Sequence, residues 1–467
     1  MQAGLVGLGV MGRNLALHLR DKGHQVVATD SWKSAREWRA PGIRMADDHA
    51  MLAGALDTPR VVLLMVKAGD QIDKEIAALR PYLSPGDVIV DGGNSRYLDT
   101  ELRCSELAAV GIGFLGVGIS GGAEGARHGA SMMVGGDAET WAKARGILAS
   151  VAATSEDNQP TIQHFGTGGA GHFVKMIHNG IEYAIMQGIA ECHDVLRDYG
   201  KLPADQIASH FARWGTDGPG AGFLLEITAE IANARDTETG GLLLPLVDDA
   251  AGQKGTGGWT AQAAIDYGVA APSILEALAA RQLSGDATVR SVMRATMAQR
   301  LGAGADADFI KDLETALAAT MLVSLAQGLQ VYAAAAQEHG WHSSLGDVLR
   351  VWRAGSILRM RMLDELAVKV DQHGGKAGLL AVPDIARSVV ERLPAWRRVV
   401  ALAIGSGCPV PVLAASLGYA EALGGLPLPT AVIQAQRDRF GAHGFKRTDR
   451  PGDHHGPWLQ PDEEAGR

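Results

Sequence analysis

Gly7-Leu8-Gly9-Val10-Met11-Gly12 follows a short apolar strand, residues 2–6, and opens a segment with helical spacing that runs to about Lys22. Gly-x-Gly-x-x-Gly at a strand-to-helix junction leaves few folds open. The first glycine permits the tight turn, the second lets a pyrophosphate approach the backbone, and the third lets helix and strand pack closely. N–H groups at the helix start then face the phosphates. Gly23 ends the helix, a second strand covers Gln25–Thr29, and Asp30 follows it. Further strands are expected at Arg60–Val66, Asp87–Asp91 and Ile112–Val117, with helical segments between them. This alternation predicts an α/β, Rossmann-like, doubly wound parallel sheet over residues 1–170.

Ligands of such sheets bind beyond the carboxyl ends of the strands. Three glycine-rich loops stand there: Val66-Lys67-Ala68-Gly69, Asp91-Gly92-Gly93-Asn94-Ser95 and the segment Gly118 to Gly125 around Ser120-Gly121-Gly122. Together they favour a ligand crevice over plain turns. The net charge of −9 argues against nucleic acid or an anionic membrane as partner, so an anionic ligand needs a local cluster of cations. Cys104, Cys192 and Cys408 are too few and too scattered for a disulfide framework or a zinc site, which fits a reducing cytoplasm. The apolar stretches Thr315–Ala336 and Val399–Gly418 approach the length of a membrane span. Gln327 and Gln330 interrupt the first, and Pro409 and Pro411 the second, so both are expected to be core segments.

From about residue 170 strand signals give way to helical periods, predicting a large all-α domain over 171–435 and a tail over 436–467. The helical domain opens with an unusual helix. At about 100° per residue, Lys175, His178, Asn179 and Glu182 share one face, with Tyr183 at its edge. Lys175 and Glu182 lie about 10 Å apart along the axis, one amine and one carboxyl for opposite ends of a small substrate. A desolvated lysine loses basicity and can serve as a general base. The alternative is an exposed polar stripe.

The domain also carries a duplication. Gln187–Gly200 resembles Gln327–Gly340, and Trp214 is echoed by Trp352. In the second copy Lys175, His178 and Glu182 become Thr315, Ala318 and Leu322, so only the first copy keeps the polar face.

In order and spacing the glycine motif, the three loops and the helix His172–Tyr183 resemble the decarboxylating 6-phosphogluconate dehydrogenases. So do Gly252-Gln253-Lys254-Gly255-Thr256-Gly257, Ala280-Arg281 and Ile433-Gln434-Ala435-Gln436-Arg437-Asp438. The resemblance implies metal-free oxidative decarboxylation of a phosphorylated sugar acid in the pentose phosphate pathway. It implies Lys175 as base and Glu182 as acid. It implies substrate contacts from Asn94, Ser120, Gly121, Gly122, His178, Asn179, Tyr183, Lys254, Arg281, Arg437 and His443. It also implies a homodimer, or a dimer of dimers, in which the tail enters the partner subunit. The cofactor positions are Gly7 to Gly12, Asp30, Ser31, Trp32, Val66, Lys67, Ala68 and Asn94. Many family members have an arginine where this chain has Ser31, and it holds the 2′-phosphate of NADP. Asp30 accepts hydrogen bonds from a ribose 2′-hydroxyl and repels a 2′-phosphate, so NAD is the expected cofactor. Lys33 leaves NADP use open. Another 3-hydroxy acid as substrate, and a dinucleotide sensor without catalysis, are the competing readings.

Overall fold

The computed structural model describes residues 1–467 apart from 33, 34, 36, 254, 298–301, 376, 377, 426 and 459–467. Lys33 and Lys254, both singled out in the sequence, lie outside the described residues. By internal contacts the chain divides into two units, Met1–Ser416 and Leu417–Arg467.

The first unit opens with an eight-stranded sheet in the order β3-β2-β1-β4-β5-β6-β7-β8. Its strands are β1 (Gln2–Val6), β2 (Gln25–Thr29), β3 (Ile43–Met45), β4 (Val61–Leu64), β5 (Val88–Asp91), β6 (Gly113–Ser120), β7 (Ser131–Gly135) and β8 (Ile162–Gly166). β1, β4 and β5 are buried at nearly every residue, as central strands covered on both faces must be. Two apolar layers cover the sheet, one around Leu5, Leu15, Leu63 and Val90, the other around Val6, Leu64, Ile72 and Ile89.

The sheet is parallel except between β6 and β7. Only residues 121–130 separate those strands, and a parallel crossover needs a dozen or more residues, so β7 returns antiparallel. β3, β7 and β8 carry no strand signal of the kind that marks the others: β3 is three residues long and β8 is only half buried.

Beyond Gly166 the unit is helical. Helix Ala170–Asp194 and helix Ala307–His339 pack against each other at its centre. Each is followed by a shorter helix with a buried tryptophan: Trp214 in Ala204–Thr216 and Trp352 at the end of Leu345–Trp352. These are the paired features of the duplication. The apolar stretch Thr315–Ala336 lies within Ala307–His339. This helix is long and apolar enough to cross a membrane, but 89% of its most apolar window is buried inside the protein. It is a core helix. The second stretch is broken between helices Pro383–Gly405 and Pro411–Gly424.

In the second unit, helix Thr430–Gly441 runs into a short antiparallel hairpin of β9 (Phe445–Lys446) and β10 (Asp453–His454).

Candidate active site

Parallel register sets the first part of the site. Val6 pairs with Thr29 on one side and with Leu64 on the other. Gly7, Asp30 and Met65 therefore emerge at one edge, where the chain switches from β1 outward to β2 and β4. That switch point is where a crevice must open. A cleft of about 680 Å³ lies there, lined by Gly7 to Val10, Asp30 to Trp32 and Met65 to Lys67, with Arg13 and Gln71. Gly7 has φ +100°, and a Cβ on Gly12 would fall 1.9 Å from the Gly7 carbonyl oxygen. The space beside Gly9 is open. Cleft, cradle and volume fit a dinucleotide.

Asp30 is held in place by two backbone N–H groups: Leu8 donates to Oδ2 at 2.6 Å and Trp32 to Oδ1 at 2.8 Å. Each oxygen keeps a lone pair free, and the residue lines the cleft. Ser31 and Trp32 are exposed, Trp32 at 73%. Arg13, which sequence reasoning passed over, lines the same cleft with its guanidinium 5.8 Å from the Trp38 ring. Its position in the first turn after the glycine motif was the available signal.

One buried arginine joins the two neighbouring loops. Arg103 Nε and Nη2 donate to Asp73 at 2.7 and 3.0 Å, and Nη2 reaches the Gly69 carbonyl at 3.3 Å. Its Nη1 lies 3.7 Å from Asp91, which accepts from Gly93 N–H at 2.9 Å and from the Ser95 hydroxyl at 2.6 Å. Arg103 thus links the loop carrying Val66, Lys67 and Ala68 to the loop carrying Asn94, itself exposed. Nothing in sequence distinguished Arg103 from a surface arginine of an amphipathic helix.

Helix Ala170–Asp194 lies on β6 and β7 because small residues let it approach. A Cβ on Gly118 would stand 2.2 Å from the Lys175 Cβ, and one on Gly171 would stand 2.4 Å from the Met133 carbonyl oxygen. The polar face predicted from spacing is consequently buried rather than solvated. Lys175 is 6% exposed, His178 0% and Asn179 8%. Lys175 Nζ donates to Asn179 Oδ1 at 2.7 Å and lies 3.2 Å from His178 Nδ1. His178 Nε2 is 3.0 Å from the Ser120 hydroxyl, and its Nδ1 is 3.1 Å from Asn179 Oδ1. A neutral His178 with its proton on Nδ1 satisfies this network: it donates to Asn179 and accepts from Ser120. Burial, helped by Lys175, keeps that imidazole uncharged, holding its pKa well below the usual value.

Burial also pushes the Lys175 ammonium down to about 8, against the opposing pull of Glu182. Glu182, 3.6 Å from His178 Nδ1, has its carboxyl pushed up by burial, partly offset by Lys175 and Arg281. Opposite shifts of an amine and a neighbouring carboxyl are the pattern by which environment sorts a base from an acid.

Arg281 stacks on the Tyr183 ring at 3.4 Å and donates to the Gly252 carbonyl at 3.2 Å. Helix Thr256–Asp266 closes against the same region. Gly257 lies against Tyr183, and Thr260 donates to the Met176 carbonyl at 2.7 Å. Ser120 sits at the end of β6, followed by Gly121 and Gly122 with φ of +125° and +62°. The first unit thus brings Ser120, Lys175, His178, Asn179, Glu182, Tyr183 and Arg281 into one neighbourhood. Arg437 and His443 are exposed residues of the second unit, Arg437 donating to Gln434 at 3.3 Å.

Comparison with known proteins bears on this site. Residues 2–166 match the family model for the NAD binding domain of 6-phosphogluconate dehydrogenase, and residues 171–458 match that for its C-terminal domain. The chain is 40% identical over 468 residues to a decarboxylating 6-phosphogluconate dehydrogenase of Synechococcus elongatus, covering 98% of this chain and 99% of the relative. It is 40% identical over 465 residues to that of Shigella flexneri, covering 98% and 99%. Among solved structures, the 6-phosphogluconate dehydrogenase of Plasmodium falciparum is similar with a TM-score of 0.90 and 32% identity, covering 98% of this chain and 100% of that one. That protein has been solved in its apo form, with its cofactor NADP+ and with its substrate 6-phosphogluconate.

Proposed function

The chain belongs to the decarboxylating 6-phosphogluconate dehydrogenases, and from that premise we propose that it converts 6-phospho-D-gluconate to D-ribulose 5-phosphate and carbon dioxide with NAD as its preferred acceptor. The observation that carries the mechanism is the buried Lys175, hydrogen-bonded to Asn179 beside His178, with its pKa brought down to about 8.

In this reading the Gly7–Gly12 turn, Asp30, Ser31, Trp32, the loop Val66–Ala68 and Asn94 hold the dinucleotide. When bound, it supplies an acceptor for one hydride. Neutral Lys175 takes the proton of the substrate 3-hydroxyl as C3 is oxidised. The resulting ketone lies β to the carboxylate. Protonated Lys175 then stabilises the oxygen at C3 while the bond to the carboxyl carbon breaks and carbon dioxide leaves. Glu182, whose carboxyl burial pushes toward the protonated form, gives a proton to the carbon that becomes C1 of ribulose 5-phosphate. Positioned acids and bases of this kind contribute about 10²–10⁴-fold per proton transfer. Ser120, Gly121, Gly122, His178 and Asn179 orient the substrate, and Tyr183, Lys254, Arg281, Arg437 and His443 grip its phosphate end. The guanidinium groups offer paired donors to phosphate oxygens.

Asp30 supports NAD over NADP. Its carboxylate is fixed at the cleft by two backbone N–H groups that leave further lone pairs free, and Ser31 offers no cation beside it. The working unit in this reading is a cytoplasmic homodimer, or a dimer of dimers, whose tails supply Arg437 and His443 to the partner. Helix Ala287–Thr296, which buries no residue and exposes Val289, Val292 and Met293 on one face, supports a covered surface there.

The test is initial rates of nicotinamide reduction with 6-phosphogluconate, run with NAD and NADP separately while carbon dioxide release is recorded. Higher kcat/KM with NADP would overturn the cofactor assignment. No turnover with either would overturn the substrate. Mixing Lys175→Met chains with Arg437→Met chains, at a 6-phosphogluconate concentration too low to saturate the arginine variant, tests the tail exchange. Hybrid dimers should regain activity, and no recovery would place Arg437 in its own subunit's site.

A further inference from the structure

The tail residues after β9 find their partner in one buried carboxylate. Asp438 has no exposed surface and follows Arg437 in helix Thr430–Gly441. Its Oδ1 accepts from Gly444 N–H at 3.0 Å and from His455 Nδ1 at 2.6 Å. Its Oδ2 accepts from Gly456 N–H at 2.8 Å and from Trp458 Nε1 at 2.9 Å. Four donors converge, three of them from 455–458.

The same residue brackets His443. Its backbone carbonyl accepts from Ala442 N–H at 2.8 Å, and its side chain holds Gly444 N–H. Ala442 and Gly444, on either side of His443, take left-handed φ values of +47° and +69°, so the chain reverses there. Gln434 closes the arrangement, accepting from Arg437 at 3.3 Å and donating to the Gly444 carbonyl at 2.7 Å. The β9–β10 hairpin carries the chain back to Asp438, with Trp458 6.2 Å from the Phe445 ring. Burial works against ionisation of Asp438, but the donors outweigh it and hold the carboxyl at about 2, so the acceptor stays charged throughout the working pH range.

We propose that Asp438 is a positioning residue that, with His455, Gly456 and Trp458, locks Arg437 and His443 into one arrangement for binding the substrate phosphate. Residues 453–458, a segment whose sequence announces no role, are the outer half of that lock. The inference rests on the reading that Arg437 grips the substrate.

The experiment compares Asp438→Asn, Trp458→Phe and Arg437→Met in the full chain, measuring kcat and the KM values for 6-phosphogluconate and for the nicotinamide. Asp438→Asn should raise KM for 6-phosphogluconate about tenfold or more, and Trp458→Phe, which loses one donor, by a smaller factor. KM for the nicotinamide should stay within about twofold. A merely structural Asp438 would lower the amount of active enzyme, and so kcat, without moving the KM for 6-phosphogluconate. That pattern overturns the proposal. If Asp438→Asn does not fold, Trp458→Phe decides: an unchanged KM for 6-phosphogluconate overturns it. If Arg437→Met leaves that KM unchanged, the reading of Arg437 fails and takes the inference with it. If Arg437→Met raises it and the other two variants do not, only the inference fails.

Discussion

Lys175 Nζ stands 2.7 Å from Asn179 Oδ1, one helical turn further on, and solvent reaches less than a tenth of either residue. The amine is fixed by a neutral acceptor rather than by a carboxylate at contact distance, so little compensates for hiding its charge. That arrangement lowers its basicity into the working range.

Replacing the lysine should separate catalysis from stability. Lys175→Met should reduce kcat by at least about 10²–10⁴-fold with nicotinamide affinity retained. It should also stabilise the protein. The lysine pKa falls from 10.5 to about 8 on folding, so below pH 8 the folded state carries a cost of about 3 kcal/mol that the unfolded chain does not. The cost fades as pH rises from 8 toward 10.5, because the folded lysine is by then neutral and the proton the unfolded chain still holds is bound ever less favourably. Denaturant melts of both proteins across this range check the sign: the variant's advantage should be largest at neutral pH. An advantage that grows with pH would contradict the burial argument.

Glu182 is assigned the last proton. Glu182→Gln should lower kcat by about 10²–10⁴-fold with little effect on KM for the nicotinamide. In D2O the wild-type product should carry deuterium at C1 in a single stereochemistry, and the variant product should be mixed. Stereospecific labelling at a near-normal rate by Glu182→Gln would remove Glu182 as the acid.

Cofactor choice should follow Asp30 and its neighbour. The double variant Asp30→Asn, Ser31→Arg removes one anion and adds one cation beside the ribose. A charged hydrogen bond is worth about 1.5–3 kcal/mol, so the ratio of kcat/KM for NAD over NADP should fall by a factor of about ten to a hundred. An unmoved ratio would mean that Arg13 or Lys67, the cations lining the cleft among the described residues, governs the choice.

Arg103 joins the loops Val66–Gly69 and Asp91–Ser95, the proposed cofactor loops, through Asp73, the Gly69 carbonyl and Asp91. Arg103→Met leaves the fully buried Asp91 without its cation, at a cost of about 3–5 kcal/mol of stability. In the fraction that remains folded, KM for the nicotinamide should rise more than KM for 6-phosphogluconate. Equal changes in the two would assign Arg103 to stability alone.

Much of this was legible in the chain itself. The glycine motif with its flanking strands located the cradle, because a turn that tight at a strand end has few sequence solutions. Helical spacing put Lys175, His178, Asn179 and Glu182 on one face, because a 3.6-residue period is a local property. Loss of that face in the second copy set the first copy apart. What periodicity could not say is which way the face points. An exposed stripe and a catalytic cleft have the same spacing, and it is close packing of the helix on the sheet, through its own Gly171 and through Gly118 of β6, that buries the face.

The tertiary structure alone decided the partnerships. Ser120 meets His178, Arg103 meets Asp91 and Gly69, and Asp438 meets Trp458, each across a separation in sequence that no local pattern encodes. It also set the turn of β7 against its neighbour and the burial that lowers Lys175 and raises Glu182. The physical reason is the same in each case. Residue type and spacing specify what a side chain can do, whereas its dielectric surroundings and its partners exist only after distant segments have packed.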